Sequence, residues 1–99
     1  MRRIAALICL VVAATAVARP YRLPPETPVA LPDAPDAALV AAHCSGCHSL
    51  DYVTTQPRGK PAVFWRDAVT KMIGVYGAPI EKDDADRIAA YLATTYGAH

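Results

Sequence analysis

The chain has 99 residues, enough for one domain and no more. Its ten Lys and Arg residues against nine Asp and Glu give a formal charge of +1 with no basic face, which excludes nucleic acid as a partner.

Residues 1–18 read as an export signal. Arg2 and Arg3 form a positive start, Ile4 to Ala14 is apolar, and Ala16-Val17-Ala18 supplies a small-x-small cleavage site, so the mature chain is expected to begin at Arg19. The rival reading is an uncleaved anchor. The 14 residues from Ile4 to Val17 make only about 21 Å of helix against a hydrocarbon core of about 30 Å, so no permanent membrane span is expected. Cys9 is an apolar residue of the leader; the bulky Ile8 before it does not suit a lipoprotein site. Loss of Arg2 and Arg3 from the ten basic residues leaves eight against nine acidic, a net of −1.

Residues 19–35 hold six of the nine prolines: Pro20, Pro24, Pro25, Pro28, Pro32 and Pro35. Proline fixes φ and lacks an amide donor, so this segment is expected to be extended and polyproline-like. It is either a solvated tail or an arm lying on a partner protein, with Tyr21, Leu23, Val29 and Leu31 as contacts. The tail is the slightly favoured reading.

A domain of three main helices is expected over 36–99. The first helix is predicted to start at Asp36, whose carboxylate can cap the free amides, and to run through Ala37–Ala42 with Leu39 and Val40 facing inward. It leads into Cys44-Ser45-Gly46-Cys47-His48, the C-x-x-C-H signature of c-type haem attachment. Two thiols at this spacing can each add to a haem vinyl group, and His48 is then placed as the proximal ligand of the iron. A zinc site wants four ligands, and Cys9, His43 and His99 supply no second pair. A thioredoxin-like dithiol wants a βαβ context, which is missing here. One covalently bound haem is therefore the expected cofactor. Gly46 is expected to permit a bend between the thiols, and His43 to point away from the iron.

Ser49 to Lys60 reads as an irregular loop beside the haem, rich in turn formers from Thr54 to Gly59. A carbonyl in it, near Pro57, is expected to accept the His48 Nδ1 proton. Arg58 and Lys60 are candidates for the haem propionates, with solvated loop charge as the equal alternative. Tyr52 is placed to hydrogen-bond near the haem or to cover it.

The second helix is predicted from Pro61 to Ile73, with Phe64, Trp65, Ala68, Val69, Met72 and Ile73 on one stripe. Trp65 is expected against the haem edge or the helices. Met72 is the only methionine once Met1 leaves with the leader, and it lies far enough beyond His48 for the chain to return to the haem. His/Met ligation raises a cytochrome's potential, so Met72 is the expected distal ligand. Lys71, His43, His99 and an open site are its competitors. The third helix is predicted over 82–95, with Asp83 and Asp84 in its first turn, Ala85, Ile88, Ala89 and Leu92 on one face, Tyr91 at its flank and Gly97 at its end. A mature chain this small is marginal on its own apolar core, so the domain is expected to lean on its cofactor for folding.

Cys44 to Tyr52, Trp65 with Val69 to Met72, Tyr76 to Ile80, and Ile88 to Leu92 with Tyr96-Gly97 together resemble one family: the monohaem cytochrome c subunit of bacterial sulfite dehydrogenase, within the class I cytochromes c. The haem motif and last helix are shared by class I cytochromes broadly; Ser49-Leu50-Asp51-Tyr52 and Gly77-Ala78-Pro79-Ile80 are the more discriminating parts. The proline arm lies outside the resemblance. What the resemblance implies is an all-α class I cytochrome c fold with Cys44 and Cys47 bound to haem c, His48 proximal and Met72 distal. It further implies a periplasmic location, a molybdopterin-containing partner that oxidises sulfite, and a second cytochrome c as electron acceptor. The chain would then be an electron-transfer subunit, not an enzyme by itself. The alternatives are a free-standing periplasmic electron carrier and an open-site haem protein, the latter requiring Met72 not to coordinate.

Overall fold

The structure, a computed structural model, describes residues 20–98. The expected export signal at 1–18 and the competing ligand His99 lie outside the described residues. The described chain is all-α: α1 spans Ala37–Cys44, α2 Asp51–Thr54, α3 Ala62–Gly74 and α4 Lys82–Tyr96. Among the described residues the one β feature is an isolated parallel bridge between Lys60 and Gly97. No helix among them is long and apolar enough to cross a membrane.

α1 forms where alanine propensity predicts it, but its start corrects one expectation. Asp36 takes the N-cap position at φ 70°, ψ 3° and makes no capping hydrogen bond. Its carboxylate accepts instead from the Arg87 guanidinium of α4, with Nε at 3.1 Å and Nη2 also in contact. The left-handed region costs a non-glycine residue about 1–2 kcal/mol. Arg87, itself 3.2 Å from Asp84, holds Asp36 there. Gly46 is not in the left-handed region, so the turn between the thiols does not depend on glycine's freedom.

The segment expected to be irregular contains the one-turn helix α2. Ser49 begins it: its hydroxyl donates to Asp51 Oδ2 at 2.8 Å and accepts from the Asp51 amide at 3.3 Å. α3 begins one residue later than expected, because Pro61 keeps an extended ψ of 159° and serves as N-cap. α4 carries Asp83 and Asp84 in its first turn, where carboxylates favour the positive end of the helix dipole.

α4 is the central element, packed against both α3 and α1. Its buried stripe of Ile88, Ala89, Tyr91, Leu92 and Tyr96 meets Val40 of α1, Val53 of α2, and Trp65 and Val69 of α3. Trp65 stands edge-on to Phe64, with ring centroids 5.1 Å apart, and lies 5.8 Å from the Tyr96 ring. Tyr91, expected only to flank the stripe, is buried. Its hydroxyl donates to the Pro32 carbonyl at 2.7 Å and so ties the end of the proline segment to the domain.

The end of α4 depends on close approach. Gly97 has φ −74° and ψ −177°, extended backbone open to any residue. A Cβ there would sit 2.1 Å from the Ala93 carbonyl oxygen, so only glycine fits. The Gly59 amide donates to the Tyr96 carbonyl at 2.9 Å and the Ala98 amide to the Lys60 carbonyl at 3.2 Å, which fastens the loop after α2 to the chain end.

Candidate functional site

Between α3, α4 and the Cys44–Gln56 segment lies a cavity of about 400 Å³. Cofactor sites run from roughly 300 to 1,000 Å³. α1 brings Cys44 to its wall, the following turn brings His48, and α2 brings Tyr52 and Val53. From α3 come Phe64, Trp65, Ala68, Val69 and Met72, and from α4 Ile88 and Leu92. Trp65, Ala68 or Val69, and Met72 are three or four residues apart, the spacing that puts side chains on one helical face. That spacing places the thioether in the same cavity as the imidazole, although 24 residues separate them.

The individual groups are suited to hold a flat apolar molecule with an iron at its centre. His48 is half-buried; its Nδ1 lies 2.9 Å from the Ser49 carbonyl oxygen, which leaves Nε2 free for another partner. A carbonyl on Nδ1 fixes a ligating histidine's tautomer and raises its basicity. The carbonyl comes from Ser49, at the start of the segment in which the sequence placed it, not from the vicinity of Pro57. The Tyr52 ring stands 5.0 Å from the imidazole at 42° and remains largely exposed, so it shields one side of His48 from water. Burial pushes the Cys44 thiol pKa above its ordinary 9.0, keeping it protonated at neutral pH. Cys47 is exposed and is not part of the cavity wall.

Trp65 adds a buried polar group beside a mostly apolar wall whose other polar members include His48, Gln56, Asp67 and Lys71. Its side chain is 2 % exposed and its Nε1–H is buried without an acceptor. A buried donor without a partner costs roughly 1–3 kcal/mol. Tyr96 has a buried, unpartnered hydroxyl as well, although it is not in the wall. Haem fits this donor set: the Cys44 thiol, the His48 imidazole and the Met72 thioether around a mostly apolar space.

Other expected residues are placed as follows. Arg58 and Lys60 are outside the wall: the Arg58 guanidinium lies 5.4 Å from the Tyr96 ring centroid and Lys60 Nζ lies 5.9 Å from that of Phe64. His43 points elsewhere, with Nε2 3.4 Å from Asp84 Oδ2. Lys71 does line the cavity beside Met72, with its Nζ 5.9 Å from the Tyr76 ring. Among the described residues, no three His, Cys, Asp or Glu side chains gather as a bare metal ion would require. Gln56, Asp67 and Ile80 also line the cavity, although none of them was read as a site residue from the sequence. Asp67 could have been found there, since it stands four residues before Lys71 on the same strip of α3.

No protein-family model matches the chain, and a search of curated proteins finds no match either.

Proposed function

We infer that the chain is a periplasmic monohaem c-type cytochrome of class I that transfers single electrons. We assign it as the haem subunit of a sulfite dehydrogenase, taking electrons from a molybdenum-cofactor subunit and passing them to another cytochrome. The observation that carries the haem reading is the convergence of Cys44, His48 and Met72 on one apolar cavity. Cys44 and Cys47 would hold the group by thioether bonds, His48 through its free ring nitrogen and Met72 through its sulfur. When bound, haem supplies one-electron Fe(II)/Fe(III) chemistry. The chain's own work is to bind, orient and dehydrate the site. Ser49 aims the imidazole, and Ile88 and Leu92 exclude water from the wall.

The assignment to sulfite oxidation is supported by the sequence resemblance, which spans most of residues 36–97. Sulfite chemistry itself belongs to the partner in this reading. The test is capture of the mature holoprotein with its partners from periplasmic extract, followed by addition of sulfite. A molybdenum-containing partner, with haem reduced by sulfite only in its presence, is the expected result. A stable haem protein that is captured alone and is indifferent to sulfite would instead be a free-standing electron carrier.

A further inference from the structure

α2 is a single turn of four residues, Asp51–Thr54. One turn of helix is unfavourable by itself, because it fixes several dihedrals for one hydrogen bond. Side chains hold this one at both ends. At its start the Ser49 hydroxyl engages both the carboxylate and the amide of Asp51. At its end the Thr55 hydroxyl donates to the Asp51 carbonyl at 2.6 Å, and Gln56 Nε2 donates to the Tyr52 carbonyl at 2.8 Å. Val53 fixes the turn to the core.

This braced turn bears directly on His48. The Ser49 carbonyl that lies 2.9 Å from His48 Nδ1 also accepts the Tyr52 amide, at 3.2 Å. A carbonyl oxygen has two lone pairs and can take both donors. The Tyr52 ring meanwhile stands 5.0 Å from the imidazole. Tyr52 therefore acts on His48 twice: its amide holds the shared acceptor in place, and its ring limits the swing of the imidazole. An exposed bond between sequence neighbours competes poorly with water unless the backbone that carries it is fixed. α2 fixes it.

We propose that Tyr52 is a positioning residue for His48, and that the α2 turn, braced by Ser49, sets the strength of the Nδ1–H···O bond and through it the redox potential. This rests on the reading of His48 as the proximal ligand of a haem. A firmly held carbonyl draws the Nδ1 proton and makes the imidazole a more basic ligand. A more basic ligand favours ferric iron and lowers the potential, so loosening α2 raises it. Admitting water acts in the opposite direction, because water favours the more highly charged ferric state. The sign of the change therefore separates a Tyr52 that positions the imidazole from one that only covers it.

The experiment compares the mature holoprotein with its Tyr52→Phe, Tyr52→Ala and Ser49→Ala variants. Redox titration gives the potential, and NMR of the reduced protein gives the rate at which the His48 Nδ1 proton exchanges with solvent. Tyr52 and Ser49 are both exposed, so covalent haem and its axial ligation should be kept in all three. Ser49→Ala loosens α2 without uncovering the imidazole, which makes it the deciding variant should Tyr52→Ala load haem poorly. Tyr52→Phe is expected to match the wild type. Ser49→Ala and Tyr52→Ala should both raise the potential and speed the exchange by about three- to tenfold, the worth of one hydrogen bond. A Ser49→Ala potential at or below the wild-type value would overturn the proposal. So would a Tyr52→Phe variant that shifts as far as Tyr52→Ala, by making the phenol hydroxyl the agent. A wild-type chain that carries no covalent haem would bring down the haem reading, and the role of Tyr52 with it.

Discussion

Arg87 on α4 reaches Asp36 across 51 residues of sequence and holds it in the left-handed region, where few residues besides glycine, asparagine and aspartate are found. The Arg87 side chain is half exposed, so its ion pair with Asp36 is screened by solvent. The pair opposes whatever cost the left-handed backbone carries at Asp36. Asp36→Ala loses the pair and keeps the strain; Asp36→Gly loses the pair and relieves the strain. The glycine variant should therefore be the more stable by about 1–2 kcal/mol in urea denaturation of the holoprotein. Equal stabilities would mean that the left-handed backbone carries no cost in this setting.

Met72 is expected to control the potential without controlling attachment. Met72→Ala leaves Cys44, Cys47 and His48 untouched, so covalent haem should survive denaturing electrophoresis. Loss of a methionine ligand lowers a cytochrome's potential. A redox titration should show that fall, and the ferric spectrum should lose its sulfur-to-iron band. Unchanged ligation in the variant would sink the assignment and turn attention to Lys71, which lines the same cavity.

Burial raises the phenol of Tyr91 above its ordinary 10.0, and that of Tyr96 likewise. The folded state therefore keeps both protonated more firmly than the unfolded chain does. Their stabilisation is complete below about pH 10 and is lost as pH rises through the higher folded values. Unfolding free energy should fall with pH above 10. In Tyr91→Phe the slope should be shallower, at a cost near neutral pH of about 1 kcal/mol for the lost bond to Pro32. Urea titrations at several alkaline pH values compare the two slopes; an identical slope would place the alkaline loss elsewhere.

Gly97→Ala introduces a methyl group where the Ala93 carbonyl oxygen leaves only 2.1 Å. The chain end must move, and the tie to Lys60 should open with it. The expected cost is about 1–3 kcal/mol in thermal or urea denaturation, as for other overpacked sites. Amide exchange at Gly59 and Ala98 should quicken, because their partners are on opposite sides of that tie.

Sequence periodicity placed α3 and α4 within about a residue of their observed limits, since each buries one continuous apolar stripe. The same stripe put Trp65 and Met72 on one face, and the structure brings both to the cavity with Cys44 and His48. What was illegible depends on distant partners. Asp36 has an N-cap residue type, but Arg87 takes its carboxylate away. The fixing of Pro32 could not be read because Tyr91 lies 59 residues away. α2 was hidden because Thr54, Thr55 and Pro57 read as turn formers, while the hydroxyl of Ser49 starts a helical turn just before them.

The cavity wall starts at Cys44 and is not closed until Leu92. In the proposed haem reading, a chain exported N-terminus first presents Cys44, Cys47 and His48 before Ile88 and Leu92 follow to cover the wall. Cys44 and His48 are on the wall that α4 closes, whereas Cys47 stays exposed in the folded domain. On that reading the order of residues along the chain favours an order of assembly, with covalent loading expected before α4 closes the core.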